Sequence, residues 1–537
     1  MHAARHALSA ALSALCLLAA APHGAAQCRI DKLSASAPTA FSTFGQSVAI
    51  SGDRMIVGSP FLGFSNGGPG GAYVYVHGPT GWEFQQLLAA AGATDSNDFG
   101  ISVAIDGDTI LVGADTVGGP LSGAVGAVYV FTWDGAQWNQ VQAFQASDGA
   151  AGGFFGGSVA LEGDTAVVGR WWDSGPATHA GSAYVFTRSG GAFTQAAKLT
   201  AGDPRPEDMF GWSVALSGAR IAVGAPDRFL MLPHDNQLGR VFVFTGAGAT
   251  WTQTAKLVSS PPLPHGQLGI SVDLDGEQLI AGAFQDVFTP ELSGNGAAYV
   301  YDFAGGAWTQ SQKLFATDGS LEDEFGLAVA IEGSWILVGA PSRMASFPLW
   351  GGVYAFHKDG ASWVQKQLFL PDATGSLAWH GNAVALDGNT GAAGAYQESF
   401  VADHSGSLYV YAGFHAFEDL GSGLAGVAGV PQLAGDGTLC AGTMGTLALS
   451  GAVPSGSTFL VLGLRAASAP FKGGTLVPAP EVVLAGLPLS AGGALALPFT
   501  WPSGVPSGAA FHAQCWTPDA AAVQGFSASN AVKGSAP

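Results

Sequence analysis

The sequence predicts an all-β chain: a seven-bladed β-propeller followed by a small C-terminal β-sandwich-like domain. Three observations predict it. One phrase recurs seven times at a mean spacing of 56 residues. Further apolar and aromatic positions keep fixed distances from it. The chain's first strand also matches the piece missing from the last copy.

The recurring phrase is Phe-Gly-x-Ser-Val-Ala, an apolar residue, a Gly turn, then a strand ending near Gly-Ala-Pro. Its copies begin at Phe44, Phe99, Phe155, Phe210, Leu268, Phe325 and His380. A period of 20–50 residues or slightly more marks a repeat architecture. A second phrase, Gly-x-x-aromatic-x-aromatic, follows each copy, from Gly70-Tyr73-Tyr75 to Gly406-Tyr409-Tyr411. Its period of two marks a strand. A third opens 12 residues after that Gly with Trp82, Trp138, Phe193, Trp251, Trp308 or Trp363. Each unit thus supplies four strands, A to D, joined A–B by a tight Gly hairpin turn such as Asp106-Gly107-Asp108. Four strands repeated seven times make a propeller.

The ends argue for a closed ring. Leu33 lies 11 residues before Phe44, the spacing between a strand D and the next strand A. The last copy stops at Tyr411 with no strand D of its own. Joining the two ends removes two open sheet edges. Strand A is small on one face, with Ser47, Ser102, Ser158, Ser213 and Ser271 equivalent and Ala49, Ala104, Ala160 and Ala215 two residues on. Inner strands crowd toward the axis and need small residues there.

Composition agrees. The 537 residues include 80 Gly and 29 Pro, are 48% hydrophobic and only 11% charged. That charge is under half the usual share of about 25%, which excludes coiled coils and charged bundles. A net charge of -20 disfavours nucleic acid and anionic membrane surfaces as partners.

Residues 1–26 read as a secretory signal peptide: Arg5, the apolar run Ala10 to Ala21, then small residues Gly24-Ala25-Ala26. Cys28 raises a lipoprotein signal, but Gln27 is not the small residue that should precede it. No other segment reads as a transmembrane helix. Export permits one disulfide. The expected pair is Cys440–Cys515, since both lie in the C-terminal region, which leaves Cys28 odd.

The expected domains are the signal at 1–26, the propeller at 27–412 and the sandwich at 413–537. In the last, apolar runs Thr458–Leu464, Val482–Leu489, Ala494–Phe499 and Ala510–Trp516 are punctuated by Gly and Pro.

Phe-Gly opening each unit and Gly-Ala-Pro closing strand B resemble the FG-GAP repeats of integrin α-subunit propellers. The resemblance covers roughly residues 27–412 and implies a seven-bladed propeller used for extracellular binding. One feature of that family is missing. Calcium-binding blades carry an Asp-x-Asp-x-Asp-Gly-type loop, whereas the A–B turns here are too short, as in Ser51-Gly52-Asp53. The nearest approach, Asp273-x-Asp275-Gly276-Glu277, reads as a hairpin turn. Asp273 itself stands where sister copies carry Ala, and reads as a local polar contact.

Catalytic motifs fail on context. Gly63-Phe64-Ser65-Asn66-Gly67 has no helix to form a nucleophile elbow. Gly421-Ser422-Gly423-Leu424-Ala425-Gly426 has no βαβ unit. No histidines or cysteines show metal-ligand spacing, so neither cofactor nor metal is expected.

The distance from first to second phrase varies from 26 to 29 residues, while the others are constant. All length variation therefore lies in the B–C loops, which share a face with the D–A loops. Variable loops on a rigid scaffold are where recognition usually sits. The candidate ligand-binding residues there are Trp171, Trp172, Asp173, Phe229, Phe284, Asp286, Trp350, Tyr396 and Phe400. The expected function is secreted, non-catalytic binding or adhesion to extracellular protein or glycan, by a monomer. The alternative is an extracellular polysaccharide-acting enzyme with its site over the channel.

Overall fold

A computed structural model describes residues 29–535 apart from 63–67, 69, 79–80, 92–97, 117–124, 150–151, 228–237, 263–264, 286–294, 321, 347–348, 372–377, 400–403, 415–416, 437–438, 440–443, 503–504 and 506–508. The expected leader, and Cys28, lie outside the described residues. The chain divides into two compact units, the first built on Asp31–Asp387 with Gly391–Val410, the second on Tyr411–Pro537.

The first unit carries seven four-stranded antiparallel sheets. Six run A-B-C-D in chain order. The first of these is Ser47–Ser51, Arg54–Ser59, Gly71–Gly78 and Gly81–Leu88. The seventh takes strands A to C from Val384–Asp387, Thr390–Ala395 and Ser407–Ala412, and its outer strand from Arg29–Leu33. The ring therefore closes as the orphan strand D required.

The A–B turns are two residues long, Ser51 pairing with Arg54 around Gly52-Asp53. Gly52 and Gly107 have φ of 58° and 52°, open to glycine at little cost. Strands C and D carry a register shift, as between Val74 and Tyr75, and such bulges raise local twist.

Each sheet packs face-on against the next. Val103 and Ile105 of the second strand A join Ile56, Val74 and Leu88 of the preceding blade in one core. Ala104, on the opposite face, joins Phe155, Val168 and Tyr184 of the following blade. The alternation of large and small residues along strand A is thus an alternation between two neighbours.

What crowds the small face is backbone. Ser47, Ser102, Ser158, Ser213 and Ser271 each donate from Oγ to the carbonyl of the next blade's Phe-Gly glycine, at 2.7–2.9 Å. The glycine of Gly-Ala-Pro lies against the same carbonyl. A Cβ on Gly113 would stand 2.0 Å from Gly156 O, and one on Gly169 1.9 Å from Gly211 O. Outer strands are linked by glutamine. Gln86 Nε2 donates to Trp138 O at 2.9 Å while Trp138 N donates back to Gln86 Oε1 at 2.8 Å. Gln142 with Phe193 and Gln312 with Trp363 repeat this.

Asp273 makes the local contact its sequence position suggested. It accepts from Ile331 N of the next inner strand at 2.8 Å and from Leu274 N at 2.9 Å. Burial raises its pKa to about 6, opposed by these hydrogen bonds and aided by the charge of Asp275.

In the second unit, a five-stranded sheet contains Phe417–Gly421, Phe526–Ser535, Ala510–Pro518, Ser457–Gly463 and Val482–Pro488. A three-stranded sheet contains Gln432–Asp436, Met444–Ser450 and Leu495–Thr500. Leu447, Leu449 and Phe499 from one meet Leu460, Leu462 and Phe511 from the other in a common core, as a sandwich requires. The sequence expectation paired Cys515 with Cys440. Cys515 is a buried free thiol, and Cys440 lies outside the described residues.

Candidate functional site

The residue before each Phe of the repeat, though not glycine, takes a left-handed conformation in all seven blades: Thr43, Asp98, Phe154, Met209, Gln267, Glu324 and Trp379, with φ of 50–60°. Its carbonyl accepts from the backbone N–H three residues on, as Phe154 O does from Gly157 N at 3.3 Å and Met209 O from Trp212 N at 3.0 Å. Left-handed backbone costs an ordinary residue about 1–2 kcal/mol. Because all seven blades share it, the turn is a building device, not in itself a site. It brings the D–A loop onto the start of the B–C loop. Asp98 Oδ2 accepts from Thr116 Oγ1 at 2.9 Å, and Glu324 Oε2 from Ser342 Oγ at 2.7 Å. The two sets of loops therefore share a face, as the strand order demands.

The seven blades differ in what they place on this collar. The third position of Gly-Ala-Pro is Pro60, Asp115, Trp171, Pro226, Phe284, Pro341 and Tyr396. Only Trp171 and Tyr396 are half-exposed among these, the rest being buried. Trp171 stacks on Phe154, with ring centroids 4.6 Å apart and planes at 11°. It also meets Trp212 at 4.9 Å and Trp172 edge-on at 5.3 Å. Trp172 in turn stacks on His179 at 3.8 Å. His179 Nδ1 lies 2.9 Å from Glu207 Oε1. Six side chains from blades three and four thus form one aromatic shelf with a polar end.

Gly157 explains why the shelf sits in this blade. Equivalent positions carry Gln46, Ile101, Trp212, Ile270, Leu327 and Asn382. A Cβ at Gly157 would stand 2.9 Å from Trp171 Nε1. The missing side chain is the space the indole occupies.

The other candidates divide. Asp173 is buried, and its carboxylate takes Arg170 Nη1, Ser182 Oγ and Lys198 Nζ, each at 2.8 Å. It holds its loop and has little left for a ligand. Phe284 is 5% exposed and belongs to the packing. Tyr396 faces Trp379 at 5.8 Å, and its hydroxyl accepts from Gln397 Nε2 at 3.1 Å. Burial, with the charge of Glu324, raises its pKa. Trp350 pairs with Met344 in a short hairpin, described through its backbone. Phe229, Asp286 and Phe400 lie outside the described residues.

An acidic pair sits one blade before the shelf. Asp115 is pushed up to about 7 by burial first and the charge of Asp98 second. Burial also raises Asp98, against its bond from Thr116. Among the described residues no group of three or more metal-ligating side chains gathers.

The FG-GAP repeat profile matches residues 29–75, 82–131, 138–186, 193–244, 251–301 and 308–356, more than half of the chain. The chain belongs to the FG-GAP repeat family. Each match runs from an outer strand through the first three strands of the next sheet. The seventh copy lies outside the matches; there His380 replaces Phe and Tyr396 replaces Pro. A search of curated proteins found no match. Among the described residues of this FG-GAP propeller chain, no helix is long and apolar enough to cross a membrane.

Phe154, Gly157, His179, Glu207 and Trp212 escaped sequence reasoning. Two of them left a signal. Gly157 and Trp212 are both outliers at one aligned position of strand A, and an outlier search by position finds them.

Proposed function

We propose that this FG-GAP chain is a secreted, non-catalytic binding protein that presents its propeller loop face to an extracellular protein or glycan. FG-GAP repeats are often used in binding and adhesion. The observation that carries the reading is the half-exposed aromatic shelf around Trp171. Rings gathered at a loop face, with polar groups at one end, give a large contact area at low cost in side-chain entropy. The reading keeps the leader at 1–26 as an export signal. Its test is surface attachment of the purified chain to cells and to immobilised glycans, compared with W171A and W212A. Loss of attachment at unchanged melting temperature supports the reading. Equal loss of both assigns the rings to packing.

One observation favours a second reading, an extracellular enzyme acting on polysaccharide. His179 and Glu207 meet within hydrogen-bond distance, as an oriented general base would. Release of reducing ends from a polysaccharide, lost in H179A, would establish it.

A further inference from the structure

We propose that the shelf is a subsite for the apolar face of a sugar ring in an uncharged glycan; this rests on the binding reading above. The rings touch one another at 4.6–5.3 Å. No space between them admits a cationic head group, as a cage of separated rings would. The surface they offer is a ledge, suited to a flat apolar ligand face that is fringed by hydroxyls.

The polar groups fit those hydroxyls. Trp171 Nε1 packs over Gly157, 2.9 Å from where a Cβ there would stand. An indole N–H seeks a hydrogen-bond partner at an interface, so the N–H of the half-exposed Trp171 is a donor to offer a ligand hydroxyl. At the other end, Glu207 fixes His179 through Nδ1 and leaves Nε2 for a hydroxyl. His179 is 27% exposed and Glu207 is 11% exposed at their side chains.

Charge decides the class of glycan. The guanidinium of Arg170, next to Trp171 in the chain, is 2% exposed and held by Asp173. Glu207 stands at one end of the shelf. On the other side, a Cβ on Gly156 would lie 3.4 Å from Ala114 N, so the strand leading to Asp115 runs alongside. In a chain of net charge -20 the overall field disfavours uronic acids and sulfated sugars, although the exposed Arg205 stands two residues before Glu207.

The test is calorimetric and fluorescence titration of the full chain. The probes are neutral gluco-, manno- and galacto-hexaoses, an oligogalacturonate and an oligolysine peptide. At least one neutral hexaose should bind and shift tryptophan emission, and the oligogalacturonate should not. W171A and W212A should each weaken that binding about tenfold, the size of a lost aromatic contact. G157L, which puts a side chain where the indole sits and so displaces it without removing a ring, should weaken it too. A stronger response to oligogalacturonate overturns the charge argument. If no neutral hexaose binds while oligolysine does, and W171A abolishes that, the glycan assignment fails and the binding face survives. If no probe binds and the variants leave cell attachment intact, both fail.

Discussion

Lys32 Nζ lies 2.8 Å from Glu398 Oε1, an ion pair between residues 366 positions apart whose side chains are 8% and 0% exposed. Lys32 belongs to the strand that closes the ring, and Glu398 to the B–C loop of the seventh blade. The Tyr409 hydroxyl donates to the same carboxylate at 3.0 Å. The pair clasps the strand taken from the chain's start onto the sheet built at its other end.

Breaking the clasp should therefore open the ring. K32M leaves Glu398 buried without its cation, and losing one partner of such a pair costs about 3–5 kcal/mol. Urea unfolding should show a loss of that order. The double variant K32M/E398M should regain much of it, because two apolar side chains leave no buried charge. A K32M protein as stable as the wild type would show that the strand holds by backbone alone.

The inter-blade serine and glycine can be separated by substitution. S158A removes one hydrogen bond and should cost about 0.5–1.5 kcal/mol. G169A drives a Cβ to within 1.9 Å of Gly211 O, which is backbone and cannot turn aside. It should destabilise far more than S158A in the same thermal melt. Equal effects would mean that the blades shift apart readily.

Asp273 should give the propeller a pH-dependent stability of its own. Its folded pKa, about 6, stands above the ordinary carboxyl value of 3.8. Folding thus favours the protonated form. The contribution is fully present below about pH 3.8 and is lost as pH rises through about 6, by linkage on the order of 3 kcal/mol. D273A, which restores the alanine of the sister blades, should flatten the stability profile between those limits. A profile unchanged by D273A would assign the slope to other groups.

Cys515 should resist alkylation in the folded protein. Burial pushes its thiol up to about 12, against a hydrogen bond with Thr458, and a thiol so placed is not a nucleophile. Peptide mapping after denaturation without reductant tests the expected pairing with Cys440. A labelled Cys515 peptide identifies the thiol, and a joined Cys440–Cys515 peptide identifies the disulfide.

The blades and their closure were legible because both are matters of spacing. Leu33 stands before Phe44 as Leu88 stands before Phe99, and no tertiary information is needed to see it. The serine at position 47 and its equivalents were read only as small. Their hydrogen bonds reach a carbonyl about 55 residues away, and a repeat in sequence does not say which neighbour a side chain meets. The glutamines of strand D were passed over for the same reason. At the loop face, Trp171 and Trp172 stood out by size alone, while Asp173 beside them is taken up by two cations and a serine. Distinguishing the ledge from its supports needed Gly157, whose importance lies in what it leaves vacant.

Arg29–Leu33 is the first strand among the described residues, and its sheet partner, Ser407–Ala412, is the last of the ring. During synthesis the early strand therefore waits, unpaired, while six complete sheets are made. Ring closure cannot come before the seventh sheet is made. Within the waiting segment, Asp31 and Lys32 break the apolar pattern, as charged residues do on edges that must not recruit a foreign strand. Lys32 thus has two duties separated in time: it keeps the strand from pairing too early, and it then secures the one pairing that completes the ring.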